Sequence, residues 1–390
     1  MRKLTALFLA LILTMTAFAA WAEEEEEISM SDVLSSVSPE TVSGLTRGFS
    51  EEDYVDLEDE EEVPDIYEKD GSILITITAG GDFTIGGDSR KSISKNLFEK
   101  ELAKRGGDVN FTMENTRDIF LADDLSIINF EGTLTDSTYV PAEKKGNEFL
   151  FSAPPSYVSI LPDNGIEAVS LENNHILDHG QDVYEETQQH LADAGIVWSN
   201  SEHLGVIEVK GVQIAMLSYL CIDRYERLWD KVPADIAAAK AQYPIVIVSF
   251  HWGNELDYTP TKNQIKMGRL AVDAGADLVL GHHSHRIEPI ECYNGVYICY
   301  SLGNFCFSGN NKPSDMSSFL FQTRFRLNTE GVISNEGFRI IPIRISSSSS
   351  YNNFTPTVLT KDTAVDSVIT TMKSNGKKLE YAVNDYPLDW

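Results

Sequence analysis

Five times in this chain a short apolar, β-rich run ends close to a residue able to bind a metal ion, and that recurrence constrains the fold more than any other feature. Ile73 to Thr78 leads through Ala79-Gly80-Gly81 to Asp82, and Leu125 to Phe130 ends at Glu131. Ile166 to Leu171 precedes Glu172-Asn173-Asn174-His175. Pro244 to Phe250 delivers His251, and Ala276 to Leu280 delivers Gly281-His282-His283-Ser284-His285. Runs of this length and β-branched content read as buried strands. Ligands of open α/β sheets gather outside the carboxyl ends of the strands, so five such segments are best explained by one convergent site. Histidines at i and i+2 on an extended chain turn both rings to one side, and the glycines before Asp82 are expected to end its strand in a loosened loop.

Helical spacing appears at 154–161, 183–194 and 263–274, and further strands at 212–219 and 296–301. Alternation of strand and helix indicates the α/β class. A single catalytic domain is expected over residues 71–345, with no internal repeat. Beyond it, residues 346–390 form an extension with a serine-rich turn at 346–350, a short helix at 364–372 and an aromatic end.

The amino terminus bears on location. Arg2 and Lys3 precede an apolar stretch from Leu4 to Ala20, and Ala20-Trp21-Ala22 supplies a small-residue cleavage site before five glutamates. A cleaved signal peptide over residues 1–22 is expected. The competing reading is an uncleaved anchor, for which roughly 17 residues is marginal against a bilayer core of about 30 Å. Residues 23–70 hold 19 acidic and 2 basic side chains, the composition of a disordered tether. The remainder is also acidic, with 41 acids against 27 bases and no basic stripe, which argues against nucleic acid as a partner. A polyanionic partner would need a local cationic site. Arg286 and Lys262 lie near the histidine-bearing segments, although each reads first as a surface charge. Four cysteines, Cys221, Cys292, Cys299 and Cys306, are compatible with disulfides in a secreted protein or with buried free thiols.

The ordered segments Gly80-Gly81-Asp82, Asn129-Phe130-Glu131-Gly132, Asn173-Asn174-His175 through Asp178-His179-Gly180, His251-Trp252-Gly253, Gly281 to His285 and Tyr300-Ser301-Leu302-Gly303-Asn304-Phe305 resemble the motifs of the CapA (PgsA) capsule-synthesis family. That family is associated with bacterial poly-γ-glutamate, and its domain is related to calcineurin-like metallophosphoesterases. The resemblance spans residues 72 to 345. It implies a four-layer α/β/β/α sandwich of two packed mixed sheets, with 319–327 and 337–345 as closing antiparallel strands of the second sheet. It further implies that Asp82 binds one metal, that Glu131 takes the bridging-carboxylate place and that His285 serves the first metal. Asn174, His251 and His283 would hold the second metal, and His175 would be the general acid.

Two positions depart from the phosphoesterase pattern: Thr84 stands where a histidine is usual, and Glu131 where an aspartate is usual. The first metal would then be weak or absent unless Asp178, Glu255 or His282 compensates. Mixed imidazole and oxygen donors suit Mn, Zn or Fe better than Ca. The function so implied is extracytoplasmic: synthesis or export of an anionic cell-surface polymer, alongside membrane-bound export proteins, with a metal-dependent phosphoester hydrolase site. The competing readings are a secreted phosphatase or phosphodiesterase unrelated to capsule, and a non-catalytic polymer-binding export module.

Overall fold

Period-two alternation inside the apolar runs decides the layering. In β9 (Ile245–Trp252), Ile245 and Ile247 join one buried cluster while Val246, Val248 and Phe250 join another, so the strand is covered on both faces. The same split occurs at β2 (Leu125–Phe130), where Leu125 and Ile127 face one way and Ile128 and Phe130 the other. Strands buried on both sides require a layer above and a layer below.

The computed structural model describes residues 66–88, 90, 96–144, 149–222 and 225–390. The expected signal peptide and nearly all of the acidic tether lie outside the described residues. Residues 66–390 form one compact unit, so the C-terminal extension is built into the domain. No helix among the described residues is long and apolar enough to cross a membrane.

With strands numbered in chain order, the first sheet runs β16 (Thr357–Val358), β15 (Ile333–Arg344), β14 (Ser317–Leu327), β1 (Ile73–Thr84), β2, β5 (Ala168–Ser170) and β6 (Val197–Ser199). An eighth strand, β13 (Asn304–Phe307), pairs with the end of β1. The second sheet runs β11 (Ile290–Tyr293), β12 (Val296–Cys299), β10 (Leu278–His282), β9, β8 (Val212–Cys221) and β7 (Gly205–Val209). A small ribbon joins β3 (Thr133–Leu134) to β4 (Ser152–Ala153). In the first sheet β1, β2, β5 and β6 run parallel and β14, β15 and β16 continue it antiparallel, while in the second a parallel centre is flanked by two antiparallel edges, so both are mixed.

One core cluster lies between the sheets, with Ile75, Ile77 and Ile127 from the first meeting Ile214, Met216, Ile247 and Leu280 from the second. On the outer face of the first sheet pack α1 (Leu97–Lys104), the single turn α2 (Arg117–Phe120) and α3 (Gln181–Asp193), through Phe98, Leu102, Phe120, Tyr184 and Leu191. On the outer face of the second pack α4 (Lys231–Lys240) and α5 (Lys262–Asp273), through Val232, Ile236, Met267 and Ala271. The order is α/β/β/α, as the resemblance implies. From the extension, α6 (Asp362–Gly376) buries Val368 and Met372 in the inter-sheet core, and Tyr386 joins them.

Three local expectations need correction. Strand β1 continues through Thr84 instead of ending before Asp82, because β2 and β13 pair with it there across register shifts. The closing strands β14 and β15 extend the first sheet, since β14 pairs antiparallel with β1 from Ile73 to Ala79. The run expected as a helix at 154–161 is a 3-10 turn, Pro155–Ile160, where Leu161 N–H bonds back three residues to Val158 and Pro162 denies a further donor. Of the two readings open for the cysteines, the structure has free thiols at all four, three of them buried.

A capping box opens α5: Thr261 Oγ1 accepts from Gln264 N–H, and Gln264 Oε1 accepts from Thr261 N–H. The remaining donor of that amide, Nε2, bonds to Glu288 Oε2 at 3.0 Å. Burial pushes the Glu288 carboxyl up to about 8 from an ordinary 4.5, against the lowering effect of that bond. An acid raised in this way contributes stability that is complete below about 4.5 and is lost as pH rises through about 8. Thermal melts of the parent and Glu288→Gln should therefore diverge, the parent losing ground to the variant between pH 5 and pH 9. A pH-independent difference would refute this account.

Candidate metal centre

The residues singled out in the sequence come together at the carboxyl ends of the parallel strands. Asp82 lies near the end of β1, where the register shifts re-aim its side chain. Gly81 before it has no substitute, because a Cβ there would lie 2.0 Å from the Gly303 carbonyl, to which Asp82 N–H donates at 2.9 Å. Glu131 directly follows β2, with its N–H bonded to Phe83 O. Asn174 and His175 occupy the loop after β5, and His251 is the next-to-last residue of β9. His283 and His285 follow β10. They are not on an extended chain: their φ angles are +92° and +54°, a left-handed conformation uncommon for a residue with a Cβ. That bend, instead of strand alternation, turns both rings inward.

Two groups result. In the first, ligand atoms of Asp82, Glu131 and His285 all lie within 4.8 Å of one another. His285 Nδ1 is 3.2 Å from Asp82 Oδ2, and His285 Nε2 is 4.0 Å from Glu131 Oε1. In the second, His251 Nε2 is 2.7 Å from Asn174 Oδ1 and 3.1 Å from His283 Nδ1. Asn129 joins the groups: its Nδ2 donates to Asp82 Oδ1 at 2.8 Å and lies 3.3 Å from His251 Nδ1.

The electrostatics suit a cation. Both Glu131 carboxylate oxygens are buried without a hydrogen-bond partner, as is Asn129 Oδ1. Burying an unpaired carboxylate costs several kcal/mol, which a coordinated metal would offset. Burial and the neighbouring Asp82 charge push Glu131 up to about 7, opposed by His285 and His175. Burial acts to raise Asp82 as well, but hydrogen bonds and charge from His282 and His285 outweigh it and hold that carboxyl well below its usual range. Burial and the neighbouring imidazoles depress His251 well below its ordinary value, and bring His283 down to about 4. Both rings are thus neutral with lone pairs to give. Burial opposes charge on His285, yet Glu131 and Asp82 raise it to about 9.

His175 stands beside the first group, its Nε2 3.8 Å from Glu131 Oε1. Its Nδ1 is 2.7 Å from Asp178 Oδ2, and that buried carboxylate also takes Phe151 N–H and the Lys144 ammonium, each at 3.0 Å. Asp178 therefore orients His175 and lies outside both ligand groups. His282 backs Asp82, with Nδ1 3.5 Å from Oδ1. Glu255 is exposed on the rim, and Thr84 is buried with an unpartnered hydroxyl. Arg286 is buried at 6% exposure, so it is no surface charge, whereas Lys262 is exposed. Beside the second group opens a cleft of about 810 Å³ lined by Asn174, His283, Glu172, Glu255, Leu220 and Arg227, among others.

Two amides were not singled out in the sequence. Asn129 is the joint just described, and Asn304 Oδ1 meets His285 Nδ1 at 2.8 Å. Each lies within a quoted motif, which was the available signal.

Residues 76–309 match the profile of the family described as bacterial capsule synthesis protein PGA_cap. The chain is 31% identical over 309 residues to the PGA biosynthesis protein CapA of Bacillus subtilis, covering 74% of this chain and 77% of that one. It is 25% identical over 299 residues to the capsule biosynthesis protein CapA of Bacillus anthracis, covering 70% and 68%. A looser likeness, with TM-score 0.38 and 12% identity over 82% of this chain and 64% of that one, is to the NAD nucleotidase of Haemophilus influenzae, too loose to bear on fold or activity.

If the two groups hold divalent ions, adding Mn or Zn at 100 times the dissociation constant stabilises the native state by about 2.7 kcal/mol. Thermal melts should rise on metal addition and fall with chelator, and Glu131→Gln should lose at least part of the rise. Unchanged melts in the parent would count against the site.

Proposed function

The chain belongs to the bacterial capsule synthesis protein PGA_cap family, and on that premise we propose an extracytoplasmic protein of capsule or poly-γ-glutamate synthesis or export that carries a metal-dependent phosphoester hydrolase site. The observation that carries the hydrolase reading is Glu131, a fully buried carboxylate with both oxygens unpartnered and with Asp82 and His285 in reach.

Asp82, Glu131 and His285 would hold one ion, and Asn174, His251 and His283 the other. Carboxylate, imidazole and amide donors together favour Mn, Zn or Fe. Such ions, when bound, lower the pKa of a coordinated water and stabilise the charge of an in-line phosphoryl displacement. The chain's own part is positioning and proton transfer. Asp178 fixes the His175 ring through Nδ1, leaving Nε2 toward Glu131 to protonate the leaving oxygen. The cleft beside Asn174 and His283 would take the organic part of the ester. Partners of this function would be an anionic cell-surface polymer or phosphoester and membrane-bound export proteins. Export would follow from the signal sequence over residues 1–22, and sequencing the secreted chain should find Glu23 first.

Hydrolysis of aryl phosphomonoesters and phosphodiesters tests the reaction. Turnover should need Mn or Zn, stop with chelator and vanish in His283→Ala. His175→Ala should lower kcat by about 10² to 10⁴ while keeping its metal. A parent that binds metal without hydrolysing either ester would overturn the hydrolase reading.

A further inference from the structure

The segment bearing His283 and His285 continues into a third buried polar side chain that neither ligand group uses. Arg286 is 6% exposed, and no carboxylate among the described residues forms an ion pair with it. Its NH1 donates to the carbonyl of His285 at 2.7 Å, its NH2 donates to Ser314 Oγ at 2.8 Å, and its Nε is buried without a partner. The guanidinium lies 5.6 Å from the centre of the Tyr258 ring, whose hydroxyl donates to Asp315 Oδ2 at 2.7 Å. The Arg286 backbone is tied in turn, its carbonyl accepting from Ser284 Oγ at 3.0 Å and its N–H donating to that oxygen at 3.3 Å.

A buried guanidinium without a counter-ion is costly, so its placement calls for a compensating role. The contact to His285 supplies one. His285 has φ +54°, a conformation that persists only where its surroundings enforce it. Asn304 fixes the ring through Nδ1, and Arg286 fixes the following carbonyl, so ring and backbone are held by separate devices. His283 has no bond to Arg286, and its Nδ1 faces His251 instead.

We propose that Arg286 is a positioning residue for the Asp82, Glu131 and His285 site: its guanidinium clamps the His285 carbonyl, ties it to the loops carrying Tyr258 and Ser314, and sets metal affinity at that site alone. The inference rests on the metal reading above. Partners that orient metal ligands typically change affinity 10- to 100-fold when removed.

The test is calorimetric titration of metal-stripped full chain with Mn and with Zn, the binding event belonging to this site being the one that His285→Ala abolishes. Arg286→Lys keeps the charge and loses the planar fork; it should weaken that event at least tenfold and leave the other unchanged. Ser314→Ala removes one anchor at an exposed position and should weaken the same event by a smaller factor, which keeps the proposal testable if Arg286→Lys misfolds. Adding Arg286→Lys to His285→Ala should cause no further loss. Equal weakening of both events, or of neither, would overturn the positioning role while leaving the metal reading intact. A parent that binds no metal would overturn that reading and this inference together.

Discussion

One side-chain amide links the two sheets at the edge where the candidate metal ligands gather. Asn129, in β2 of the first sheet, bonds Asp82 of the same sheet and reaches His251 of the second. Neither group is complete without the alignment this joint maintains. The strand ends can approach closely because Gly81 and Gly281 present no side chain: a Cβ on the latter would stand 2.0 Å from the Tyr300 carbonyl. That carbonyl also accepts from Trp252 Nε1 at 2.8 Å, which locks β9 at the residue after His251. Backbone contacts, an amide and an indole thus position the chemistry before any ion is considered.

Charge is distributed unevenly across this buried centre, and the unevenness has a cause. Two carboxylates share a small volume, and only Asp82 has both the His282 and His285 imidazoles within 3.5 Å to favour its charged form. Glu131 has none and rises to about 7. Burial and the neighbouring imidazoles suppress protonation of His251 and His283, whereas Glu131 and Asp82 promote it on His285, which lies close to both acids. Asp178 sits outside this field, where Lys144 and Phe151 N–H leave it free to orient His175.

The candidate ligands stand out in sequence because a strand that ends at a polar residue announces itself locally: the apolar run, the glycines and the acid or imidazole lie within about ten residues. Asn129 and Asn304 lie in the same motifs without standing out, since an amide at a strand end looks like any solvated turn until its partners are known. Those partners are 47 and 122 residues away for Asn129, and 19 for Asn304. The burial of Arg286 is hidden from local pattern for the same reason. A charge beside a loop motif reads as exposed, and its contacts with Tyr258 and Ser314 on two other loops exist only in the folded chain.

The strands, the α/β class and the residues able to bind metal were determined by the sequence alone, because alternation and strand-end placement are local properties of the chain. The tertiary structure decided that β1 runs on past Asp82, that β14 and β15 join the first sheet, and that His283 and His285 turn inward through a left-handed bend. It also made Asp178 an orienting partner of His175 and Arg286 a buried clamp. These outcomes depend on which distant backbone lies alongside, and pairing across hundreds of residues, such as the 201 between His283 N–H and Asp82 Oδ2, leaves no trace in local pattern.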